Sequence, residues 1–162
     1  MQNKKVAFMA QAAMIAALYV VLTMVFAPFS FREIQVRVSE ALTILPAFTP
    51  AAVPGLFIGC LLANLLGGAA VPDVIFGSLA TLIGAFFTWK LRNKHPFLAP
   101  VPPILSNMLI IPFVLRYAYG VPMAIPLMML TVGFGEVLSC GVLGMLLYYV
   151  LKKSQKQLFK QQ

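Results

Sequence analysis

The residues best placed to do chemistry in this sequence are carboxylates and amides inside long apolar stretches. Glu136 lies roughly 15 residues into one such stretch, or about 22 Å along a helix. A carboxylate at the centre of a membrane helix costs about 2.5 to 3.5 kcal/mol, so it usually faces a cavity, a partner or a substrate. Glu136 therefore predicts a functional site at depth, although a protonated glutamic acid bonded between helices would also explain it.

Two amides and one charged pair extend this pattern. Asn64 and Asn107 also lie within apolar stretches, where an amide bonds a neighbouring helix as readily as a ligand. Arg37 and Glu40 stand three residues apart in RVSEALTILP and so share a helical face. This pair is interpreted as part of a functional site or, alternatively, as a structural ion pair or helix cap. Asp73 precedes an apolar helix and is either its N-cap or a further site residue.

Together, Glu40, Asn64, Asn107 and Glu136 come from four different predicted helices. The predicted topology places them from mid-depth to the outer half of the membrane, and their convergence indicates one outward-facing pocket. Carboxylates accept paired N–H donors and amides both donate and accept, which suits a flat polar heterocycle with Arg37 nearby. An ion pore would instead need rings of charge or lining carbonyls.

The elements that position these residues are membrane helices. The 162-residue chain is 61% apolar and only 10% charged, and its mean hydropathy is +0.93. A bilayer core of about 30 Å needs on the order of 20 apolar residues per helix. The predicted helices of this single transmembrane domain, 1–162, are 6–27, 38–48, 51–68, 73–90, 96–116 and 121–151.

Basic residues predict the orientation of these helices. They cluster near Lys4 and Lys5, from Lys90 to Lys94, and from Lys152 to Lys160. Cytoplasmic loops carry such an excess, and only an even number of crossings separates each pair of clusters. We therefore expect an all-α integral membrane protein with six transmembrane helices and cytoplasmic N- and C-termini. The basic cytoplasmic segments account for the net charge of +8, so a nucleic-acid partner is not needed to explain it.

Several chemistries have no motif in the sequence. There is no G-x-x-x-x-G-K-[ST] loop for a nucleotide, no hydrolase signature and no Cys/His metal cluster. Cys60 and Cys140 lie in apolar stretches and are interpreted as buried free thiols. We therefore expect no enzyme, no metal and no cofactor, and any ATP-driven step must belong to partner subunits.

The first helix carries AQAAMIAA, which makes two small-residue faces. Ala12 and Ala16 form one pair spaced by four residues, and Ala13 and Ala17 form the other. Such faces allow close helix approach, either within the bundle or to another membrane protein.

These segments resemble the QueT family over nearly the whole chain. The similarity lies in RVSEALTILP, GLFIGCLLANLLGG, PDVIFGSLATLIGA, PPILSN and GEVLSCGVLG. QueT proteins are the substrate-binding S components of energy-coupling factor (ECF) transporters, assigned to queuosine precursors. These precursors are 7-deazaguanines, namely queuine and its cyano and aminomethyl relatives.

The resemblance implies a role for each part of the chain. The chain would lie in the plasma membrane of a prokaryote and capture the base from outside. A membrane-embedded T component and two ATPase subunits would then drive its uptake. The alanine pairs would dock to the T component. Glu136 or Glu40 would accept the paired N–H donors of the base and Asn107 or Asn64 would donate to its carbonyl. Phe31 and Phe134 are candidates to stack on the ring, and core packing or lipid contact would explain them equally.

Other functions fit the same residues. The chain would also serve as an S component for another vitamin or nucleobase, since pocket residues set specificity. A stand-alone proton-coupled carrier would use Glu136 as its proton site. A purely structural membrane subunit would not need converging polar residues.

Overall fold

A computed structural model describes residues 2–26 and 37–158, and these are helical with short connections. The predicted all-helical architecture is confirmed for this part of the chain. We label the α-helices α1 (Gln2–Val25), α2 (Ala52–Leu66), α3 (Val71–Leu91), α4 (Val101–Tyr117), α5 (Ile125–Glu136) and α6 (Gly144–Leu158). The remaining elements are a 3₁₀ helix (Val38–Ala47), a short 3₁₀ turn (Pro96–Leu98) and a π segment (Val137–Leu143).

The helix bounds differ from the predicted ones at several ends. The first helix begins at Gln2 rather than at residue 6, and the last ends at Leu158 rather than at residue 151. Two further differences occur at prolines. The fifth predicted helix started at residue 96, but α4 begins at Val101 after the 3₁₀ turn. The sixth started at residue 121, but α5 begins at Ile125 with Pro126 in its first turn. Proline is favoured in a first turn because its missing N–H has no intrahelical partner there.

Small residues let α1 and α2 pack at very short range. A Cβ atom at Gly55 would lie 2.7 Å from the Ala12 carbonyl oxygen, and one at Gly59 would lie 3.0 Å from the Ala16 Cα atom. Ala12 and Ala16 therefore face α2 within the bundle. Of the two predicted docking pairs, only Ala13 and Ala17 are exposed.

The 3₁₀ helix connects the two ends of the bundle with few residues. Arg37 at its start lies beside Asp73 at the start of α3, and the Phe48 ring just after it lies 4.9 Å from the Tyr148 ring of α6. Ten residues cover about 20 Å at the 3₁₀ rise, against about 15 Å in an α-helix. Most of its side chains are buried, including the polar Ser39, Glu40 and Thr43.

A π segment interrupts the long last helix directly after Glu136. Buried residues recur at intervals of four through this region, at positions 132, 136, 140 and 144. In a regular α-helix, residues four apart advance slightly beyond one full turn, and the wider π turn offsets this advance. Gly144 then passes the 3₁₀ helix closely, since its Cβ would lie 3.5 Å from the Ala41 carbonyl oxygen.

The basic clusters lie together at one end of the bundle. Ile44, Ala99 and Met145 form a buried cluster close to the Phe48 and Tyr148 pair, and Thr49 donates to the Gln11 side chain at 3.1 Å. The chain ends and the α3–α4 connection therefore share this end, which carries Lys4, Lys5, Lys90, Arg92, Lys94, Lys152 and Lys153. This is the charge distribution that the predicted topology requires.

The described helices form a membrane-embedded bundle. Four of their stretches are long and apolar enough to cross a bilayer: Asn3–Val25, Val71–Leu91, Pro96–Tyr117 and Ile125–Ser154. The 3₁₀ helix and α2 are shorter apolar helices. Large apolar side chains cover the exterior, as expected of a surface in contact with lipid. The count of six crossings and the cytoplasmic termini stay predictions.

We predict that Gly59→Ala destabilises the bundle, because the added methyl would lie 2.8 Å from the Tyr19 Cβ atom. Overpacking of this kind costs about 1 to 3 kcal/mol. Thermal unfolding in detergent, followed with a thiol-reactive dye, would measure the loss, since both cysteines are free and buried.

Gly141→Ala is the matched control for this substitution. Its added Cβ would lie 3.6 Å from the nearest side-chain atom, at Val137, which is an ordinary contact. Equal stability of the two alanine variants would contradict the proposed close packing of α1 on α2.

Candidate binding site

Two buried carboxylates lie side by side in the interior of the bundle. Glu40 comes from the 3₁₀ helix and Glu136 from the end of α5, and they are 1% and 4% exposed. One ligand atom from each, together with Cys140 Sγ, lies within 4.8 Å of the others. Two buried carboxylates this close repel each other when both are ionised, so a proton or a cation must accompany them.

Neutral hydrogen-bonding groups surround this pair. The Tyr19 hydroxyl donates to Glu40 Oε1, and Cys140 Sγ donates to Glu136 Oε2 at 3.1 Å. The Asn107 side chain interacts with both carboxylates. The convergence of Glu40, Asn107 and Glu136, which the sequence predicts, is therefore present in the structure.

A second polar group lies at the opposite end of the bundle from the basic clusters. Arg37 Nη2 is 3.9 Å from Asp73 Oδ2, and both side chains are almost fully buried. The Tyr119 hydroxyl donates to Asp73 Oδ2 at 2.9 Å and accepts from the Ala70 N–H at 3.0 Å. Burial raises the pKa of the Tyr119 phenol, so the hydroxyl remains protonated and can donate.

Asn64 joins this second group. Its Nδ2 donates to the Asp73 carbonyl oxygen at 3.4 Å. Gly77 is what leaves room for the two side chains, since a Cβ there would lie 3.0 Å from Asp73 Oδ1 and 3.2 Å from Asn64 Nδ2.

The two polar groups are electrostatically connected. The Arg37 charge acts on Glu40 and on Glu136 as well as on Asp73. Opposite charges interact strongly over such distances in a low-dielectric interior. The charge on Arg37 therefore stabilises the ionised forms of both glutamates as well as that of Asp73.

The N-cap interpretation of Asp73 is wrong. The N-cap position of α3 belongs to Ala70, and no side chain caps it. Asp73 lies one turn further in, where its carboxylate contacts Arg37 and Tyr119 instead. A negative charge in the first turn of a helix is also favoured by the helix dipole.

Some buried polar atoms make no hydrogen bond within the described part of the chain. They are Glu40 Oε2, Asn64 Oδ1, Asp73 Oδ1 and Ser139 Oγ. A buried acceptor or donor without a partner costs about 1 to 3 kcal/mol, so few such atoms occur in a stable fold. Three of the four belong to predicted site residues, and they are available to a polar solute.

Two aromatic predictions have different outcomes. Phe134 is 62% exposed on the outside of α5, because it lies two residues before Glu136 and so points to the other side of the helix. The structure does not bring it to the carboxylates. Phe31 lies outside the described residues.

Several residues around the carboxylates are not among those predicted from the sequence. Tyr19 is fully buried in α1, and Thr43 donates to Cys140 Sγ at 3.3 Å. Cys60 and Cys140 are buried free thiols as predicted, yet both contact site residues, Cys60 through Asn64 and Cys140 through Glu136. A single tyrosine in the middle of an apolar helix was the available signal for Tyr19.

An apolar groove of about 450 Å³ lies on the outside of the bundle between α3 and α4, and none of the predicted site residues lines it. Its lining residues are Pro72, Phe76, Leu109, Ile110, Phe113, Val114, Tyr117 and Ala118. For a metal ion, Glu40, Glu136 and Cys140 offer three ligand atoms. A set of two carboxylates and one cysteine sulfur would suit zinc better than magnesium, provided that the thiol loses its proton on binding.

A membrane-embedded helical bundle with a buried polar site of this kind, and with no catalytic motif in its sequence, has the features of a solute transporter. Comparison with known proteins agrees. A family model described as QueT transporter matches residues 9–153. The chain belongs to the QueT transporter family.

One curated relative illustrates the similarity. The queuosine precursor transporter QueT of Lactococcus lactis subsp. cremoris (strain MG1363) is 42% identical over 73 residues, which are 44% of this chain and 43% of that protein. The matched region thus spans less than half of the relative. No solved structure matches this chain.

We predict that Tyr19→Phe lowers the free energy of unfolding by about 1 to 3 kcal/mol, because the substitution leaves Glu40 Oε1 buried without the Tyr19 donor. Thermal unfolding in detergent is the measurement. Tyr149→Phe removes the same hydroxyl from a residue that is 51% exposed and should change stability little. If the two variants were equally stable, the Tyr19 bond would have no structural role.

Proposed function

We propose that this chain is the substrate-binding S component of an ECF importer and captures a 7-deazaguanine queuosine precursor. The observation that carries this proposal is the buried pair of Glu40 and Glu136, both of which interact with the Asn107 side chain. A deazaguanine presents a ring N–H and an exocyclic amine side by side, which one carboxylate accepts together. An amide then donates to the ring carbonyl.

The name of the Lactococcus lactis relative supports the same substrate class. The unpartnered atoms of Glu40, Asn64 and Asp73 support a ligand with several hydrogen-bonding edges. Aliphatic solutes would leave these atoms unsatisfied, at a cost that a polar heterocycle avoids.

The positions of the charges support capture from outside the cell. The basic clusters share one end of the bundle, which the positive-inside rule assigns to the cytoplasm. Arg37, Asp73 and Tyr119 lie at the opposite end. The site would therefore open toward the outer face of a prokaryotic plasma membrane, with six crossings and both termini inside.

Partner subunits would supply the energy. The sequence has no nucleotide-binding loop, so ATP hydrolysis would belong to two ATPase subunits coupled through a T component. The exposed Ala13 and Ala17 form the small-residue surface on which a T component would dock. Ala12 and Ala16 would instead support that surface from within, since they pack on α2.

The first experiment is equilibrium binding to the detergent-purified chain. Queuine and its cyano and aminomethyl relatives should bind, and guanine and riboflavin, the controls, should bind at least about tenfold more weakly. Absence of binding by all three deazaguanines in folded protein would overturn the substrate assignment and favour another vitamin or nucleobase.

We predict that Glu136→Gln weakens binding of the base by at least about 1.5 kcal/mol, the scale of a charge-assisted hydrogen bond. Titration calorimetry of the purified variant would measure this loss. Val137→Ala is the control, because Val137 is the next residue and is 47% exposed on the outside. Unchanged affinity in a folded Glu136→Gln variant would remove Glu136 from the site.

The carboxylate pair also favours a second candidate, a proton-coupled carrier. Two neighbouring buried carboxylates favour uptake of a proton, and buried carboxylates of this kind form proton relays in membrane pumps and transporters. Liposomes containing only this chain separate the two functions. A carrier would accumulate the base when a proton gradient is imposed, whereas an S component would need the T component, the ATPase subunits and ATP.

A further inference from the structure

The charges buried in the site are not balanced among the described residues. The buried charged side chains are Arg37, Glu40, Asp73 and Glu136. One positive and three negative groups leave an excess of two negative charges when all are ionised. Uncompensated charge in a low-dielectric interior is costly, so the site favours whatever neutralises it.

Arg37 offsets only part of this charge. Its guanidinium lies 3.9 Å from Asp73 Oδ2, so these two groups compensate each other first. The carboxylate pair of Glu40 and Glu136 is left in excess, and a single proton shared between them still leaves one negative charge.

The other neighbours of the carboxylate pair are neutral. Tyr19, Asn107 and Cys140 donate hydrogen bonds or interact through dipoles, and none supplies a positive charge. Glu40 Oε2 has no hydrogen-bond partner within the described chain, although the side chain is 1% exposed. A buried carboxylate oxygen of this kind is an acceptor suited to an ammonium group.

We propose that the transported base carries a positive charge, so that the site selects amine-bearing 7-deazaguanines over neutral ones of similar size. This inference rests on the function proposed above and extends it to the choice among precursors. One carboxylate of the pair receives the ring N–H and exocyclic amine, and the other receives the cationic amine of the 7-substituent. The cyano relative offers no such charge.

The test compares three ligands that differ only at position 7. They carry an aminomethyl group, a cyano group or a hydroxymethyl group, the last being neutral and close to aminomethyl in size. Binding is measured on the full chain in detergent with a chelator present, so that no metal ion supplies the positive charge. The aminomethyl base should bind at least about tenfold more tightly than either neutral base, as expected for a charge-assisted contact.

Two variants locate the cause of this preference. Glu40→Gln and Glu136→Gln each remove one carboxylate. The variant that lacks the carboxylate bound to the amine should lose most of the preference for the aminomethyl base, which falls to within about threefold. The variant at the other carboxylate should weaken all three ligands by a similar factor. Thermal unfolding of each variant identifies any that fails to fold, and the remaining one still tests the assignment.

The outcomes separate this inference from the proposed function. If all three bases bind within about threefold of one another, the charge preference is wrong while the substrate class stands. If the preference survives in both folded glutamine variants, the carboxylate pair does not cause it. If no deazaguanine binds to folded protein, the substrate assignment fails and the preference fails with it.

Discussion

Two carboxylates from different helices lie next to each other inside this bundle, and the surrounding side chains hold them in this position. Glu40 and Glu136 are both almost fully buried, with a tyrosine, a thiol and an amide around them. In a membrane protein this arrangement is expensive, because water is not available to solvate either charge. Stable packing elsewhere must offset the cost.

That packing comes from close contacts between smooth helix faces. α1 and α2 approach until Gly55 and Gly59 touch the backbone of Ala12 and Ala16. Lipid gives no hydrophobic driving force between membrane helices, so their association depends on such van der Waals contact and on buried hydrogen bonds. The α1–α2 pair also holds Tyr19 against Glu40, which connects the packing directly to the site.

Two departures from the regular α-helix shape the site. The 3₁₀ helix has Arg37 at its start and carries Glu40 into the interior. The π segment begins directly after Glu136 and contains Cys140, which donates to the Glu136 carboxylate. Irregular helical turns of this kind recur at functional sites, where they place side chains that a regular helix would direct elsewhere. Both segments pack against each other, so the carboxylates meet where the backbone departs from ideal geometry.

The sequence by itself determined that the chain is helical and apolar enough for a membrane, and it predicted that Glu40, Asn107 and Glu136 lie together. The length of each apolar stretch, the position of basic clusters and the presence of polar residues within apolar stretches can all be read from the sequence. In a membrane protein they indicate, respectively, the spanning helices, the cytoplasmic side and the candidate site residues. The sequence did not show that Asp73 pairs with Arg37 rather than capping α3, or that Tyr19 and Cys140 join the carboxylates. Those facts depend on which side of each helix faces the centre, and the 3₁₀ and π turns change that orientation in ways that a regular period cannot predict. Only the tertiary structure decided them, because contacts between helices set the rotation of each one.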